Sequence, residues 1–302
     1  MLDELHQIVS NSYHFVWQAV AVTSLDRLTP MLERFRVHTH LFHAGPLCGV
    51  TTFAARPGRG FLHVLRRGEL EMTYRVAGGG PSRARIDRPS LLFYPRPLEH
   101  AFHNAPTPDS DFACAALDFD GGTTHPLVRT LPPVIVLPLA EVDTLTPALE
   151  LLFAEIDQVG CGRTVIADRL FEVVLIQLFR WMLEHPDELA LPTGLLTGLG
   201  DEQLARALVA IHEAPGRPWT LAALAREAAM SRSSFAARFK QLVGQPPAEY
   251  LTCWRITVAQ QRLRDGDSVA RTAVELGYAN PPAFSRAFAK RVGCSPRAWL
   301  AS

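Results

Sequence analysis

Apolar residues recur at helical spacing through the last third of the chain, in short segments separated by turn residues. Three of these segments cover residues 221–228, 247–264 and 269–276, and two more begin after Ser231 and Asn280, which are suitable helix N-caps. At about 1.5 Å per residue, the middle segment would form a helix ~27 Å long. The pattern therefore predicts two pairs of short helices joined by one longer helix.

The two predicted helix pairs are copies of one unit. The sequence repeats without gaps at an offset of 49 residues, and the identities include aromatic, glycine and proline positions: Phe235 and Phe284, Phe239 and Phe288, Val243 and Val292, Gly244 and Gly293, Pro247 and Pro296, Leu251 and Leu300. Such a repeat indicates one supersecondary unit used twice. Two short helices joined by a tight turn form a helix-turn-helix, whose second helix can enter the major groove of DNA.

Upstream, short apolar segments separated by glycine and proline predict β-strands. The candidate strands are residues 47–53, 61–65, 70–76, 90–94 and 112–119. Close spacing of short strands is typical of an antiparallel barrel or sandwich. The whole chain is therefore predicted to be an α+β multidomain protein, with a β-barrel first and an all-α domain last.

Two further helices and a linker are predicted between these domains. Residues 145–156 and 164–185 have helical periodicity, and residues 189–200 combine a proline with three glycines. We therefore divide the chain into four parts: a sensor barrel (1–140), a helical packing or dimerisation region (141–188), a linker (189–200) and the helix-turn-helix domain (201–302).

The predicted helix at residues 164–185 is apolar on nearly all of its sides. A helix with so narrow a polar stripe is normally buried. It could pack against its own barrel or against a second copy of the chain, and we favour the second alternative, a homodimer contact.

The charges of the chain are unevenly distributed, although the formal net charge is zero. From residue 201 onward there are 14 Arg and Lys against 8 Asp and Glu, whereas residues 1–200 contain 16 against 22. A basic domain joined to an acidic one is typical of a protein that binds a polyanion such as nucleic acid.

The spacing of the cysteines and the lengths of the apolar segments indicate in which cellular compartment the protein is expected. The five cysteines lie far apart without CxxC spacing, and the sequence shows neither a signal-peptide pattern nor an uninterrupted apolar span. We therefore expect a reduced, cytoplasmic protein that has no contact with a membrane.

Residues 204–302 resemble the DNA-binding domain of the AraC/XylS family of bacterial transcription regulators along its full length. The most specific segment is VARTAVELGYANPPAFSRAFAKRVGCSPRAW, which matches the family's pattern of Ala, Gly, an aromatic residue, two Phe and Gly-x-x-Pro. Tyr278 is a small departure, since Phe is commoner there. The resemblance implies binding to double-stranded DNA at specific sequences, with RNA polymerase as a further partner.

The resemblance also implies base contacts from residues that face away from the inward Phe stripes. These outward positions are Arg232, Ser233, Ala236, Ala237, Lys240, Pro281, Pro282, Ser285 and Arg286. Arg286 is the strongest candidate for reading a guanine, because its guanidinium matches O6 and N7. For Arg232, a base contact and a phosphate contact both stay open. Phosphate contact or plain solubilising charge is the expectation for Arg238, Arg262, Arg264, Arg291 and Arg297.

Two segments of the predicted barrel resemble the cupin motifs. In GFLHVLRRGELEM, His63 and Glu69 match metal-ligand positions, but Leu65 stands where a second His is usual. In YPRPLEHAFHN, His100 keeps the spacing of the second motif, and Pro97 replaces its Gly. The resemblance implies a cupin-like sensor with room for one small ligand, but the chain lacks the family's full set of three His and a carboxylate.

A different metal site is conceivable from the same segments. Cys48 and Cys114 could complete a Cys2His2 zinc tetrahedron with His63 and His100, and His43 is an alternative ligand. The competing interpretation has no metal, because buried cysteines pack as small apolar groups and barrel histidines often form local hydrogen bonds.

Taken together, the sequence predicts a DNA-binding transcription regulator, not an enzyme, whose barrel senses a small molecule or a metal. One alternative is a cupin-type metalloenzyme with a DNA-binding tail, which the incomplete motif disfavours because catalytic iron needs a facial triad of ligands. Another alternative is an architectural DNA-binding protein without any ligand.

Overall fold

A computed structural model describes residues 25–301 of the chain, without residues 77, 105–109, 123–124, 159, 187 and 190. In this described part, nine strands form two antiparallel sheets. The first 24 residues of the predicted sensor domain lie outside the described residues. One sheet has the order β1-β8-β3-β6-β9 and the other β2-β7-β4-β5. The strands are β1 (Val37–Gly45), β2 (Gly49–Phe53), β3 (Arg59–Arg67), β4 (Leu70–Arg75), β5 (Pro81–Ile86), β6 (Ser90–Tyr94), β7 (His100–Asn104), β8 (Asp111–Phe119) and β9 (Ile135–Pro138).

The five-stranded sheet is buried on both faces. Along β8, Cys114 points toward the four-stranded sheet, whereas Ala113 and Ala115 pack against helices on the opposite face. Those helices are α2 (Thr146–Asp157) and α3 (Arg163–Glu184), and α1 (Thr29–Leu32) precedes the barrel. Burial on both faces explains why the sequence of β8 shows no polar alternation.

The C-terminal domain consists of short helices around one longer helix. The helices are α4 (Leu195–Gly200), α5 (Glu202–Glu213), α6 (Leu221–Glu227), α7 (Arg232–Val243), α8 (Pro247–Arg264), α9 (Val269–Glu275), α10 (Pro281–Val292) and α11 (Pro296–Leu300). The predicted caps are confirmed, since the side chains of Ser231 and Asn280 accept hydrogen bonds from the backbone N–H groups of Ser234 and Ala283. Helices α6–α7 and α9–α10 form the two helix-turn-helix units, on either side of α8.

The predicted linker at residues 189–200 is wrong in its second half, because residues 195–200 form helix α4. Leu195, Leu196 and Leu199 of α4 are buried, and Gly198 lies so close to α7 that a Cβ atom there would be 2.6 Å from Cγ2 of Val243. The glycines of this segment therefore permit close helix packing, where the sequence suggested flexibility.

The apolar composition of helix α3 predicted burial on all sides, but one side of the helix is exposed. One side packs on the barrel through Phe171, Leu175 and Leu178. The opposite side exposes four apolar residues, Val165, Ile166, Val173 and Ile176.

The described helices include none with the length and apolar character needed to span a bilayer.

Candidate functional site

The residues predicted to face DNA lie on the outer sides of α7 and α10. All of them are exposed or half-buried, namely Arg232, Ser233, Ala236, Ala237 and Lys240 on α7, and Pro281, Pro282, Ser285 and Arg286 on α10. The inward positions are filled by phenylalanines with no exposed surface, two on each helix, so the orientation of both helices is fixed by packing. The structure thus gathers each predicted set on one face of one helix.

The arginines of this domain fall into two groups. Nε of Arg238 donates to Oδ2 of Asp201 at 2.7 Å, and Arg262 pairs with Asp267 and Glu275. Within the described part of the chain, by contrast, Arg232 and Arg286 have no acidic partner. Free guanidinium groups can bind phosphate or base edges, whereas engaged ones would first have to break an ion pair.

The prediction that Arg262 is a phosphate contact or a solubilising charge therefore requires correction. Its side chain is 24% exposed and holds the end of α8 against α9 through two carboxylates. Arg238 likewise ties α7 to the N-terminus of α5, where Asp201 is the helix cap. Arg264 packs over the ring of Trp299, 4.8 Å from its centroid. These three arginines support the fold.

The barrel holds a pair of buried histidines among aromatic rings. Nε2 of His63 on β3 lies 3.0 Å from Nε2 of His100 on β7, so the pair bridges the two sheets. The ring of His100 stacks on that of Tyr94, with centroids 3.7 Å apart, and Phe53, Phe61 and Phe102 surround the ring of His63. The interior between the sheets is thus lined by aromatic side chains with one polar pair at its centre.

Hydrogen bonding fixes the proton positions of this pair. Nδ1 of His100 donates to the carbonyl oxygen of Leu98 at 2.9 Å, so its Nε2 is the acceptor and His63 Nε2–H is the donor. Nδ1 of His63 is then a bare, buried acceptor that has no partner in the described structure. Burial lowers the pKa of His100 to about 4, and burial, His100 and His43 hold the pKa of His63 well below its ordinary value, so both rings are neutral.

The predicted zinc ligands are only partly brought together. Cys114 lies beside His63 in the strand register, and His43 lies beside Cys114 on its other side. Cys48 is exposed, however, and burial raises the pKa of the Cys114 thiol, which opposes the thiolate that zinc requires. Among the described residues, no three His, Cys, Asp or Glu side chains are grouped to hold a metal ion. In this arrangement the four side chains do not form a zinc tetrahedron, so the predicted zinc site would require them to rearrange.

Comparisons with known proteins match both halves of the chain. A sequence model of the cupin domain matches residues 26–184, more than half of the chain, and a model of a helix-turn-helix domain matches residues 224–302. One similar solved structure is the crystal structure of the DNA-binding domain of AdpA in complex with a target DNA. The match covers 33% of this chain and 92% of the AdpA chain, with 32% sequence identity and a TM-score of 0.32.

Curated relatives with sequence similarity are named as transcription regulators. A putative AraC-like transcription regulator of Streptomyces lividans is 39% identical over 173 residues, 56% of either chain. The HTH-type transcriptional regulator AlkR of Acinetobacter baylyi is 34% identical over 177 residues, 57% of either chain. The chain thus matches little more than half the length of these relatives. This chain belongs to the cupin family, and it joins its cupin domain to a doubled helix-turn-helix domain, in agreement with the predicted resemblance to AraC/XylS-type regulators.

Proposed function

We propose that this protein binds double-stranded DNA at specific sequences through α7 and α10 and controls transcription in response to an effector. The observation that carries the proposal is the pair of outward helix faces on which Arg232 and Arg286 have no acidic partner among the described residues. Names of the similar curated proteins favour a regulator over the enzyme alternative. Helix α8, 18 residues long, separates the two helices on the scale of one turn of DNA.

The proposal predicts salt-dependent and sequence-dependent DNA binding. The full chain should select a preferred duplex from a random pool, and its affinity should fall steeply as salt rises, because phosphate contacts release counterions. Electrophoretic mobility shift or fluorescence anisotropy at several salt concentrations measures both properties. Absence of binding, or binding that ignores both salt and sequence, contradicts the proposal.

Replacing Arg286 should separate base reading from phosphate binding. Arg286→Ala should cost about 1–3 kcal/mol on the preferred duplex and relax the preference at one base pair, since a guanine contact is lost. The control is Arg291→Ala, an exposed residue of the same helix, which should weaken all duplexes about equally. If the two variants change affinity and selectivity alike, Arg286 does not read a base.

We further infer that the barrel is the sensor for a small molecule. The support is the buried Nδ1 of His63, whose missing donor a ligand hydroxyl or amide would supply. The aromatic surroundings favour a ligand with an apolar body. Binding would require the packed rings to move, so effector binding and barrel conformation would be coupled.

We also propose that two copies of the chain pair through the exposed side of α3. An apolar stripe on one helix is self-complementary across a two-fold axis, so the same face serves both partners. The stripe is formed by Val165, Ile166, Val173 and Ile176. A double change, Ile166→Glu with Val173→Glu, should therefore convert a dimer into a monomer, because it places charges in the centre of the contact.

Light scattering coupled to size-exclusion chromatography measures that change in mass. The control is Val50→Glu, which changes an apolar residue on β2 that is more exposed than Ile166 and Val173, and it should leave the dimer intact. A wild-type protein that is monomeric at micromolar concentration would overturn the dimer proposal. The DNA-binding proposal would not be affected by that result.

A further inference from the structure

The two helix-turn-helix units also touch each other away from α8. The loop at residues 214–220 leads into α6 of the first unit and packs against the turn between α9 and α10 of the second. A Cβ atom on Gly216 would overlap the carbonyl oxygen of Glu275, and one on Gly277 would overlap the carbonyl oxygen of Gly216. Only glycine fits at these two positions, so the two backbone segments are in direct contact.

Arg255 of α8 binds both sides of this contact. Its Nε donates to the carbonyl oxygen of Pro215 at 2.7 Å, and its Nη2 donates to the carbonyl oxygen of Arg217 at 2.9 Å. The guanidinium carbon lies 5.7 Å from the centroid of the Tyr278 ring, in the turn after α9. One side chain of α8 thus contacts the loop that leads into the first unit and the turn of the second unit.

No carboxylate competes for the guanidinium of Arg255. Among the described residues it pairs with no Asp or Glu, and burial lowers its pKa. Hydrogen bonds from a charged donor are stronger than those between neutral groups. The two backbone carbonyl oxygens therefore compensate for the partial burial of this charge, and they hold the side chain in one orientation.

Each side of this contact is anchored in its own unit. On the first side, the loop ends at Thr220, whose side chain caps α6 by accepting a hydrogen bond from the N–H of Ala223. On the second side, the ring of Tyr278 packs against that of Phe284 in α10, with centroids 5.3 Å apart. A movement of one unit relative to the other would therefore break contacts of Arg255.

We propose that Arg255 fixes the spacing between the two DNA segments that α7 and α10 read. Each unit packs on its own end of α8, so bending or twisting of that helix would change the relative position of the units. A second contact, away from the helix axis, opposes both movements. This role of Arg255 rests on the DNA-binding function proposed above, and it adds a preference for spacing to the preference for sequence.

The regular geometry of duplex DNA makes a spacing preference measurable. One added base pair moves the second segment by about 3.4 Å along the duplex and turns it by roughly 35° around the axis. Two helices held at a fixed distance and angle cannot follow this change, so the DNA must be untwisted or one set of contacts must be lost. Two helices that move freely would follow the added base pair at little cost.

Fluorescence anisotropy titration of the full chain with three duplexes tests the proposal. The first is the preferred duplex selected from the random pool, on which hydroxyl-radical footprinting locates the two protected segments. The other two have one base pair inserted or removed between those segments, and either change should lower wild-type affinity by about tenfold or more. In Arg255→Met, which removes both donors, the three affinities should lie within about threefold of one another.

A matched control separates spacing from stability. Arg238→Met removes a guanidinium that ties α7 to Asp201 without contacting the second unit, so it should change all three affinities by the same factor. If Arg255→Met keeps the spacing preference of the wild type, Arg255 only stabilises the fold and the proposal is wrong.

The wild-type comparison is a test that needs no variant. A wild type that selects a duplex but tolerates the inserted base pair would refute the spacing role of Arg255 and leave the DNA-binding function in place. A wild type that selects no duplex would overturn both.

Discussion

Acidification should destabilise this protein through histidines that the fold buries in their neutral form. Burial, and secondarily Arg34, lower the pKa of His212 from 6.5 to about 3, and burial lowers that of His125 to about 4. Above pH 6.5 these rings are neutral in both the folded and the unfolded chain, so their contribution is constant. Below pH 6.5 the unfolded chain takes up protons that the folded chain refuses, and stability falls with pH.

The expected effect of these two groups is large. Well below pH 6.5 each adds about 1.4 kcal/mol to the loss of unfolding free energy per pH unit. The pair should cost roughly 3 kcal/mol between pH 6.5 and pH 5, because the unfolded-state rings are only half protonated at pH 6.5. The double variant His125→Leu/His212→Phe should remove about 2.7 kcal/mol per pH unit from the slope, whatever it does to stability at neutral pH.

Denaturant unfolding at several pH values between 7 and about 5 measures this slope. The control replaces an exposed residue without a titratable group, Val50→Ala, and should keep the slope of the wild type. An unchanged slope in the His125/His212 double variant would mean that these rings are protonated in the folded state.

The helical half of the fold could be predicted from the sequence because its signals are local. Helix α8 begins and ends where the pattern placed it, and the caps at Ser231 and Asn280 bond as expected. Capping, helical periodicity and the 49-residue repeat each depend on residues within a few turns of one another. The same local signals gave the outward residues of α7 and α10.

The β half was predicted less completely, because strand signals depend on partners elsewhere in the chain. Strand β6 has its predicted bounds, but β1, β5, β7 and β9 were missed. Strand β5 offers only Ala84 and Ile86 to the core, and β7 carries two histidines, so the apolar alternation that identifies a strand is weak in both. Their strand character comes from pairing with β4.

The candidate sites also differ in whether their residues could be recognised from local sequence patterns. The sequence singled out His63 and His100, which do meet in the barrel, because motif spacing is visible along the chain. It did not single out Phe35, Trp254 and His212, because their rings meet only when the two domains pack. No local pattern along the chain marks such a contact.

Truncation of Phe288 should have one of the largest single-residue effects in the DNA-binding domain. Its side chain has no exposed surface and packs edge-on against Phe284 and Trp299, with ring centroids 5.7 and 5.8 Å away. Phe288→Ala should therefore lower the free energy of unfolding by about 3–5 kcal/mol, through lost burial and the cavity that remains. DNA affinity should fall with it, because this ring holds α10 in its orientation.

The repeat supplies a matched comparison. Phe239 occupies the same position in the first unit and is equally buried, so Phe239→Ala should cost a similar amount. Arg286→Ala, on the exposed side of α10, should instead change stability by less than about 0.5 kcal/mol while weakening DNA binding. Denaturant unfolding and DNA titration of the three variants separate folding from recognition. A loss below about 1 kcal/mol in Phe288→Ala would mean that α10 is held by other contacts, and that its outward face is not set by the repeated phenylalanines.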